Sequence, residues 1–491
     1  AGGALWFSTE QNGVITYPVT RLFAQLLSGT FTLGPILIAI YYGGELVWRD
    51  RERRIHEIVD STPAPDWSFV APKVLALFTA LLAVLLVGMG TGVAIQAMKG
   101  YTNFELDKYV LWYVLPNLSA CFGVAALSVF LQAISPHKFV GWGLMLLYLI
   151  STITLSQMGF DHNLYLYGGG PQMPTSDMNV GGHYWIAPTW FQVYWTLGAL
   201  ILVVFAYLLW RRGADTRLFP RLRAMPRRIA QGGGVVLAVL VLGFAGVGGW
   251  IFYNTNVLNT YQSNVSNERW LANMERELIQ YENAPQPTIT DVTLTVDLQP
   301  RQHTFTATGV YQIENRTGAP LAEVHLNWPR LLELDRVEVD GAELARDYTS
   351  EPEAYPYQIW RFTAPMQPGE RREIRFSTAD RRQGFTNTNT LASVQNNGTF
   401  INNGAFTPSF GFNRNQTLQD RNIRRRQNLP VDLRMPTLED DAARRFQYLR
   451  HDSDWVNADI TVTTDADQIP IAPGYVVSDQ TNNGRRTVRF R

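Results

Sequence analysis

The sequence predicts a membrane α-helical bundle in its first half, followed by an all-β antiparallel sandwich. Long apolar runs dominate up to residue 253, and short runs that alternate apolar with polar residues follow from residue 292. A membrane-spanning helix needs about 20 mostly apolar residues, whereas a half-buried strand alternates with a period of two. The 491 residues allow two or three domains.

Six runs are long and apolar enough to cross a membrane, and the segments between them differ in charge. Lys and Arg concentrate in segments 49–73, 135–138 and 211–228, which predicts that these segments are cytoplasmic. The predicted spans are 28–48, 74–97, 109–134, 139–158, 190–210 and 235–253.

This topology places both flanks of the helical part outside the cytoplasm. Residues 1–27 are predicted as an external loop, 28–253 as the transmembrane domain and 254–285 as an external helical stalk. Residues 286–491 are predicted as an external β-sandwich. The chain begins without Met and ends within a predicted strand, so we expect it to be a fragment of a longer polypeptide.

Few polar side chains in the spans or external loops suggest a site. Asn117 follows Pro116, and we expect a local kink with a satisfied amide rather than part of a substrate path. In the external loop, His162 and His183 accompany Asp161 and Asp177. A metal site there is the alternative to solvated loop residues, which we favour because no ligand spacing supports a metal.

The first cytoplasmic segment continues the first span as a charged helix over 49–63. Apolar Ile55, Ile58 and Val59 recur at helical spacing, as in an interfacial amphipathic helix. A span ending in Glu, an Arg-Glu-Arg run, a Thr-Pro pair and a Lys opening the next span resemble the ABC-2-type exporter permeases. The matching residues are Glu45, Arg49, Arg53, Glu57, Pro63 and Lys73.

The resemblance implies that 49–63 is a coupling-type helix that docks on a separate ABC ATPase subunit. It also implies a dimer of permease subunits among the lipids of a bacterial inner membrane. No Gly-Lys pair occurs in the chain, so it contains no Walker A loop and ATP would bind the partner. Net charge is zero, which does not favour nucleic acid as a partner.

The second half alternates apolar and polar residues in short runs, for example at Val292, Leu294, Val296 and Leu298. Turn signals at 315–318, 340–341 and 367–370 separate these runs. Many short strands at this spacing predict an antiparallel sandwich.

The segments 291–300, 309–317, 366–370 and 454–463 resemble the N-terminal β-domain of zinc aminopeptidases of the aminopeptidase N type. The match covers roughly 287–491 and places the β-rich part in the periplasm or outside. The Pro-Cys-Phe-Asp segment usual in that domain is replaced by Thr-Pro-Ser-Phe-Gly-Phe at 407–412.

The catalytic signature of those peptidases is absent from this sequence. Their zinc site needs two His at i and i+4 with Glu as base, and Asp60 stands where His56-Glu57 would need the second His. We therefore predict no catalytic, cofactor or metal residue in this chain, and any zinc would belong to a domain beyond residue 491. The isolated His303, His325 and His451 are expected on strands or at the surface.

The leading hypothesis is an ABC exporter permease subunit that carries a periplasmic peptidase-like domain. The first alternative is a membrane-anchored zinc aminopeptidase whose catalytic domain follows residue 491. The second is a non-catalytic binding module that recruits a partner.

Overall fold

The computed structural model describes residues 2–7, 10–11, 14–30, 33–177, 182–212, 218–350, 354–389, 394–431, 437, 439–441 and 455–491. The chain forms two compact units. The helical unit comprises Ala1–Tyr261 and Gly384–Thr390, and the β unit comprises Gln262–Gln383 and Leu391–Arg491. The predicted order of a helical part and then a β-rich part is confirmed.

The helical unit consists of α-helices, π-helical turns and a small hairpin, β1 (Glu10–Gln11) with β2 (Val14–Ile15). The π-helical turns are Val110–Val114, Ile229–Gly233 and Tyr253–Leu258. The α-helices are α1 (Gly2–Phe7), α2 (Thr20–Thr30), α3 (Leu33–Glu52), α4 (His56–Asp60), α5 (Trp67–Met98), α6 (Leu106–Tyr109), α7 (Leu115–Ile134), α8 (Lys138–Gln157), α9 (Ile186–Leu208), α10 (Leu218–Arg228) and α11 (Gly234–Phe252).

Among the described residues, five helical stretches are long and apolar enough to cross a membrane. They are Trp67–Met98, Leu106–Ile134, Lys138–Gln157, His183–Leu208 and Gly234–Leu258. The first predicted span, 28–48, falls on α2 and α3, which are bent by 44° and give a sixth span only if counted together. The segment 1–27, predicted as a loop, contains α1 and most of α2.

Glycines on α3 allow its neighbours to approach closely. A Cβ at Gly43 would lie 2.0 Å from Oγ of Ser128 on α7, and one at Gly44 would lie 2.2 Å from Nε1 of Trp142 on α8. Small residues at such contacts are how helices pack tightly without a hydrophobic driving force between them.

Asn117 lies just after the π-helical turn Val110–Val114. Its side-chain amide donates a hydrogen bond to the carbonyl of Tyr113 at 2.7 Å. Pro116 has no N–H to donate, so an irregular turn at this point is expected. The expectation of a satisfied amide is confirmed.

The β unit contains two sheets, ordered β10-β5-β8-β7 and β12-β13-β11-β3-β4-β9-β6. Leu294 and Phe376 of the larger sheet share a core with Val324 and Phe362 of the smaller one, as in a sandwich. The strands are β3 (Thr288–Gln299), β4 (Thr304–Glu314), β5 (Leu321–Asn327), β6 (Glu333–Val339), β7 (Ala342–Asp347), β8 (Tyr357–Met366), β9 (Arg371–Asp380), β10 (Ser409–Phe410), β11 (Asn457–Asp465), β12 (Val476–Asn482) and β13 (Arg485–Phe490).

Two features correct the prediction of an all-β antiparallel sandwich. Strand β11 pairs in parallel with β3, which is possible because a long connection separates β10 from β11. The β unit also contains helices α12 (Asn264–Leu278) and α13 (Arg421–Arg426).

The structure divides the segment 254–285 that was predicted as a stalk. Its first residues complete the π-helical turn Tyr253–Leu258 at the end of the last span. Helix α12 belongs to the β unit, where Met274 and Leu278 are buried against Tyr348 and Tyr357. The helix predicted in this segment is therefore packed on a folded domain and is not a free stalk.

Candidate partner-docking loop

The loop between α3 and α5, together with the helix ends that flank it, carries the residues that match the exporter permeases, and the loop begins with a left-handed turn. Arg54 has a φ of 59°. The N–H of Ile55 donates to the carbonyl of Asp50 at 3.0 Å, and that of Arg54 to the carbonyl of Arg51 at 3.1 Å. These two bonds are those of a Schellman motif, in which glycine usually takes the left-handed position. The helix predicted over 49–63 is therefore two pieces, the end of α3 and the short α4.

Helix α4 buries none of its side chains. Ile55 and Ile58 expose 41% and 73% of their surfaces. The hydroxyls of Ser61 and Thr62 donate to backbone carbonyls of the preceding turn at 2.8 and 2.7 Å, and this turn ends α4 before Pro63. Exposed apolar side chains within a charged loop suit either a protein partner or a membrane surface.

Two arginines that are distant in the sequence, Arg212 and Arg228, hold this loop. Arg212 donates from Nε to the carbonyl of Asp60 at 3.2 Å, from Nη2 to the carbonyl of Thr62, and from Nη1 to Asp66 at 3.1 Å. Arg228 lies 3.6 Å from the second carboxylate oxygen of Asp66. One planar guanidinium thus connects three points of the loop, a geometry that a lysine ammonium does not reproduce.

Lysines fix the base of the loop to the helix ends. Nζ of Lys73 lies 3.2 Å from a carboxylate oxygen of Asp50. Nζ of Lys138 lies 3.1 Å from Glu45 and 2.6 Å from Glu52. These contacts connect the end of α3 to α5 and to α8.

The six residues predicted from the sequence fall into two groups. Glu45 and Lys73 are part-buried and form the ion pairs at the base. The exposed residues are Arg49, Arg53, Glu57 and Pro63. The exposed group can face a partner, whereas the other two position the loop.

Sequence reasoning missed Asp66, Arg212, Arg228 and Lys138 as parts of this site. The sequence marks the basic residues only as charges of a cytoplasmic segment. Arg212 is 146 positions from Asp66, and Lys138 is 93 positions from Glu45. The pattern within one segment carries no signal for such contacts, although paired changes at positions 66 and 212 in related sequences would reveal them.

His162, in the loop that was predicted to be external, is not a solvated residue, which corrects the expectation for it. Its side chain is fully buried, and the burial lowers its pKa. Nε2 lies 3.1 Å from Oγ1 of Thr255, and Nδ1 accepts a hydrogen bond from the N–H of Leu164 at 3.1 Å. The neighbouring Asp161 accepts a hydrogen bond from Tyr261. These bonds connect the loop between α8 and α9 to the residues that follow α11.

Within the described residues, no group of three His, Cys, Asp or Glu side chains is arranged to hold a metal ion. Asp177 forms ion pairs with Lys108 at 3.1 Å and with Arg21 at 3.3 Å. In the β unit, buried His325 lies on β5 with Nδ1 2.8 Å from the hydroxyl of Tyr357. Half-buried His303 lies in a turn, with Nδ1 3.1 Å from the carbonyl oxygen of Val394. The third isolated histidine of that half, at position 451, lies outside the described residues.

Comparison with known proteins identifies only weak structural likenesses. No family model matches the chain, and no curated protein matches it. An M1 zinc metallopeptidase from Deinococcus radiodurans aligns with 43% of this chain and 39% of its own, at 14% identity and a TM-score of 0.25. A mutant M1 zinc metallopeptidase from the same organism, bound to a tyrosine-serine-alanine substrate, aligns with 42% of this chain and 39% of its own. Its identity is 15% and its TM-score is also 0.25. The chain thus spans about two fifths of these structures, and likeness at this level assigns no activity to it.

Proposed function

We propose that this chain is the permease subunit of an exporter-type ABC transporter, driven by a separate ATPase subunit and carrying a periplasmic peptidase-like domain. The observation that supports this proposal is the loop between α3 and α5. It contributes no side chain of α4 to the core, yet Arg212 and Arg228 hold it in one place. A loop that is both exposed and positioned is suited to transmit force between subunits.

The contacts of the helical unit support a cytoplasmic position for this loop. Arg212 reaches the carbonyl of Asp60, and Arg211 reaches the carbonyl of Pro136 at 3.4 Å. The three basic segments predicted in the cytoplasm therefore meet at one end of the helical unit. We place that end in the cytoplasm of a bacterial inner membrane and the β unit in the periplasm.

The chemistry of the exposed loop suggests how an ATPase subunit would bind. Ile58 is an apolar side chain with 73% of its surface exposed, and Arg49, Arg53 and Glu57 are exposed charged residues of the same segment. Apolar side chains that become buried against a partner supply most of the binding energy of an interface, whereas charges at its rim set specificity and association rate. ATP would bind and be hydrolysed on the partner, and two permease subunits would form the transporter.

Co-purification with nucleotide-binding subunits of the same cell tests this proposal. Arg53→Glu reverses one exposed charge of the loop and should remove the ATPase from the purified complex. Arg227→Glu is the matched control, because Arg227 is an exposed arginine on α10 outside the loop. If Arg53→Glu retains the ATPase as well as the control does, the docking assignment is wrong.

A second candidate function is a membrane-anchored zinc aminopeptidase or a non-catalytic binding module. The observation that favours it is a set of exposed apolar side chains on the β unit, where Trp455, Ile471 and Tyr475 expose 95%, 85% and 88% of their surfaces. The neighbouring edge strand β12 is exposed along its length, and such surfaces commonly contact another domain or protein. Zinc-dependent cleavage of aminoacyl substrates by the full-length polypeptide, without ATPase, would support the peptidase over the permease.

A further inference from the structure

A small cavity of about 20 Å³ lies where the ends of α3, α7 and α9 meet in the helical unit. Its polar lining comes from Arg51, Gln132 and Arg211, and the indole rings of Trp48 and Trp210 form part of its wall. A cavity of this size holds about one or two oxygen-sized atoms. Arg212 and Arg228, which hold the docking loop, do not line this cavity. Arg51 lines the cavity and also pairs with Asp60 of the loop.

Arg211 is buried in the wall of this cavity and is only partly satisfied. The residue is 6% exposed. Its Nη1 reaches the carbonyl of Pro136 at the long distance of 3.4 Å, and its guanidinium carbon lies 4.7 Å from the centre of a ring of Trp48. Among the described residues, its Nε and Nη2 have no hydrogen-bond partner.

Two further guanidinium groups raise the positive potential at this site. Arg51 lies 3.8 Å from Asp60, and Arg221 donates to the carbonyls of Ala133 and Leu209 at 2.8 and 2.7 Å. Burial, together with the charges of Arg221 and Arg51, lowers the pKa of Arg211 to about 10. An arginine stays protonated at neutral pH even so, and a buried cation without a counter-charge is costly.

The acidic side chains of α3 near the cavity are engaged by other cations. Asp50 pairs with Lys73, whereas Glu45 and Glu52 pair with Lys138. No described carboxylate lines the cavity. The counter-charge for Arg211 is therefore expected from outside the described part of the chain.

We propose that this cavity binds an oxygen of a phosphate group, supplied by the headgroup of an anionic phospholipid. Nε and Nη2 of one guanidinium form a fork that matches two oxygens of a phosphate. The cavity admits those oxygens and not a whole nucleotide, because its volume is about 20 Å³. Basic pockets between membrane-spanning helices are typical binding sites for anionic headgroups.

The position of the cavity agrees with a lipid ligand. Arg211 follows the last span residue of α9, Leu208, and therefore lies at the level of the membrane surface. Trp48 and Trp210 are tryptophans at span ends, which favour the headgroup region. Nε1 of Trp48 donates to the side-chain oxygen of Gln132 at 2.9 Å, so the wall facing Arg211 is itself fixed.

Native mass spectrometry of the purified full chain tests the proposal. We would titrate phosphatidylglycerol or phosphatidylcholine into the detergent-solubilised protein and compare the wild type with Arg211→Gln and Arg223→Gln. Arg223 is an exposed arginine of α10 and controls for general attraction to anionic lipid. We expect Arg211→Gln to bind the first phosphatidylglycerol about tenfold more weakly than the wild type and the control, with phosphatidylcholine unaffected.

Inorganic phosphate separates the two sources of the anion. A rise in melting temperature with phosphate at constant ionic strength that requires Arg211, with no preference for phosphatidylglycerol, would support the anion site with free phosphate as its ligand. If Arg211→Gln and Arg223→Gln behave alike toward both probes, the proposal is overturned.

A second variant keeps the test decisive if Arg211→Gln does not fold. Gln132→Glu places a carboxylate in the same cavity as the guanidinium and can still accept the hydrogen bond from Trp48. It should raise the melting temperature and remove the preference for phosphatidylglycerol, because the counter-charge is now internal. A Gln132→Glu protein that keeps the wild-type lipid preference would contradict the proposal.

Discussion

The helical unit and the β unit use arginine in different ways. In the helical unit, Arg212, Arg221 and Arg228 donate to backbone carbonyls near the ends of helices. In the β unit, Arg371 and Arg381 pair with carboxylates on exposed strand faces. A helix end leaves carbonyls without a partner, whereas a ladder of paired strands satisfies its own. The three named arginines of the helical unit therefore satisfy carbonyls at helix ends, whereas Arg371 and Arg381 pair with side chains on strands whose backbone is already paired.

This difference predicts unequal costs when an arginine is removed. In the helical unit, the loss of an arginine leaves buried carbonyl oxygens without donors. In the β unit, the loss of an exposed arginine leaves its carboxylate partner in water. Arg424 of the β unit departs from this division. It is 1% exposed, holds Glu275 through two bonds of 2.8 and 2.7 Å, and also donates to the carbonyls of Leu418 and Pro430.

The largest effect is expected for Arg424→Ala. It leaves the buried carboxylate of Glu275 without its partner, and breaking a buried pair in this way costs about 3–5 kcal/mol. Hydrogen exchange of peptides covering α12 and α13 should rise strongly. Arg426→Ala, which removes the more exposed pair with Glu268, should cost about 1 kcal/mol or less. Equal exchange in the two variants would show that burial does not set the cost.

A smaller effect is expected for Arg221→Gln in the helical unit. The shorter side chain leaves the carbonyls of Ala133 and Leu209 without donors, at a cost of about 1–3 kcal/mol. Thermal unfolding of the detergent-solubilised chain should shift downward, and exchange at the ends of α7 and α9 should increase. The exposed Arg223→Gln is the matched control and should change neither, so a comparable shift in the control would contradict the role assigned to Arg221.

A pH titration sharpens the comparison by creating a buried charge in the β unit. Burial lowers the pKa of His325, and Glu323 only partly opposes this shift. The folded state therefore prefers neutral His325. Its contribution to stability is complete above the ordinary value of 6.5 and is lost as pH falls toward the lowered pKa of the folded state.

Exchange of peptides covering β5 and β8, corrected for intrinsic rates, should therefore rise between pH 7.5 and 5.5 in the wild type. His325→Gln should reduce that rise, and His303→Gln should leave it in place because His303 lies in a loop outside β5 and β8. A wild-type rise that is unchanged in His325→Gln would assign the pH dependence to other groups.

The smallest effect is expected for Arg371→Gln. Its pair with Glu314 on the neighbouring strand is 3.0 Å long, but Arg371 exposes 61% of its side chain. Exposed pairs of this kind contribute little to stability, and salt screens them. Exchange of β4 and β9 should therefore match that of the wild type. A larger loss would mean that surface pairs, like the helix-end arginines, maintain the fold.

The local elements of the β unit could be predicted because their signals are local. The alternation from Val292 to Leu298 became β3, and the turn signals at 340–341 and 367–370 became the β6–β7 and β8–β9 connections. Gly341 and Gly369 have φ values of 63° and 78°, a conformation that glycine adopts without strain. The parallel pairing of β11 with β3 could not be predicted, since no residue of either strand encodes its distant neighbour.

The candidate site shows the same limit. The resemblance to exporter permeases pointed to Arg49, Arg53 and Glu57, because the motif that carries it lies within one segment of the sequence. It did not predict the turn at Arg54, where a non-glycine residue takes the left-handed conformation. Nor did it predict that Arg212 would hold the loop, because that contact joins two distant segments.

Site-specific photo-crosslinking tests the central claim, that the loop between α3 and α5 docks an ATPase. A photoreactive residue would replace Ile58, or Phe160 as an exposed apolar control in the predicted external loop. The account predicts that position 58, but not 160, crosslinks in native membranes to a protein whose sequenced peptides contain a Walker A loop. Crosslinks from position 58 to lipid alone, or the same products from both positions, would contradict it.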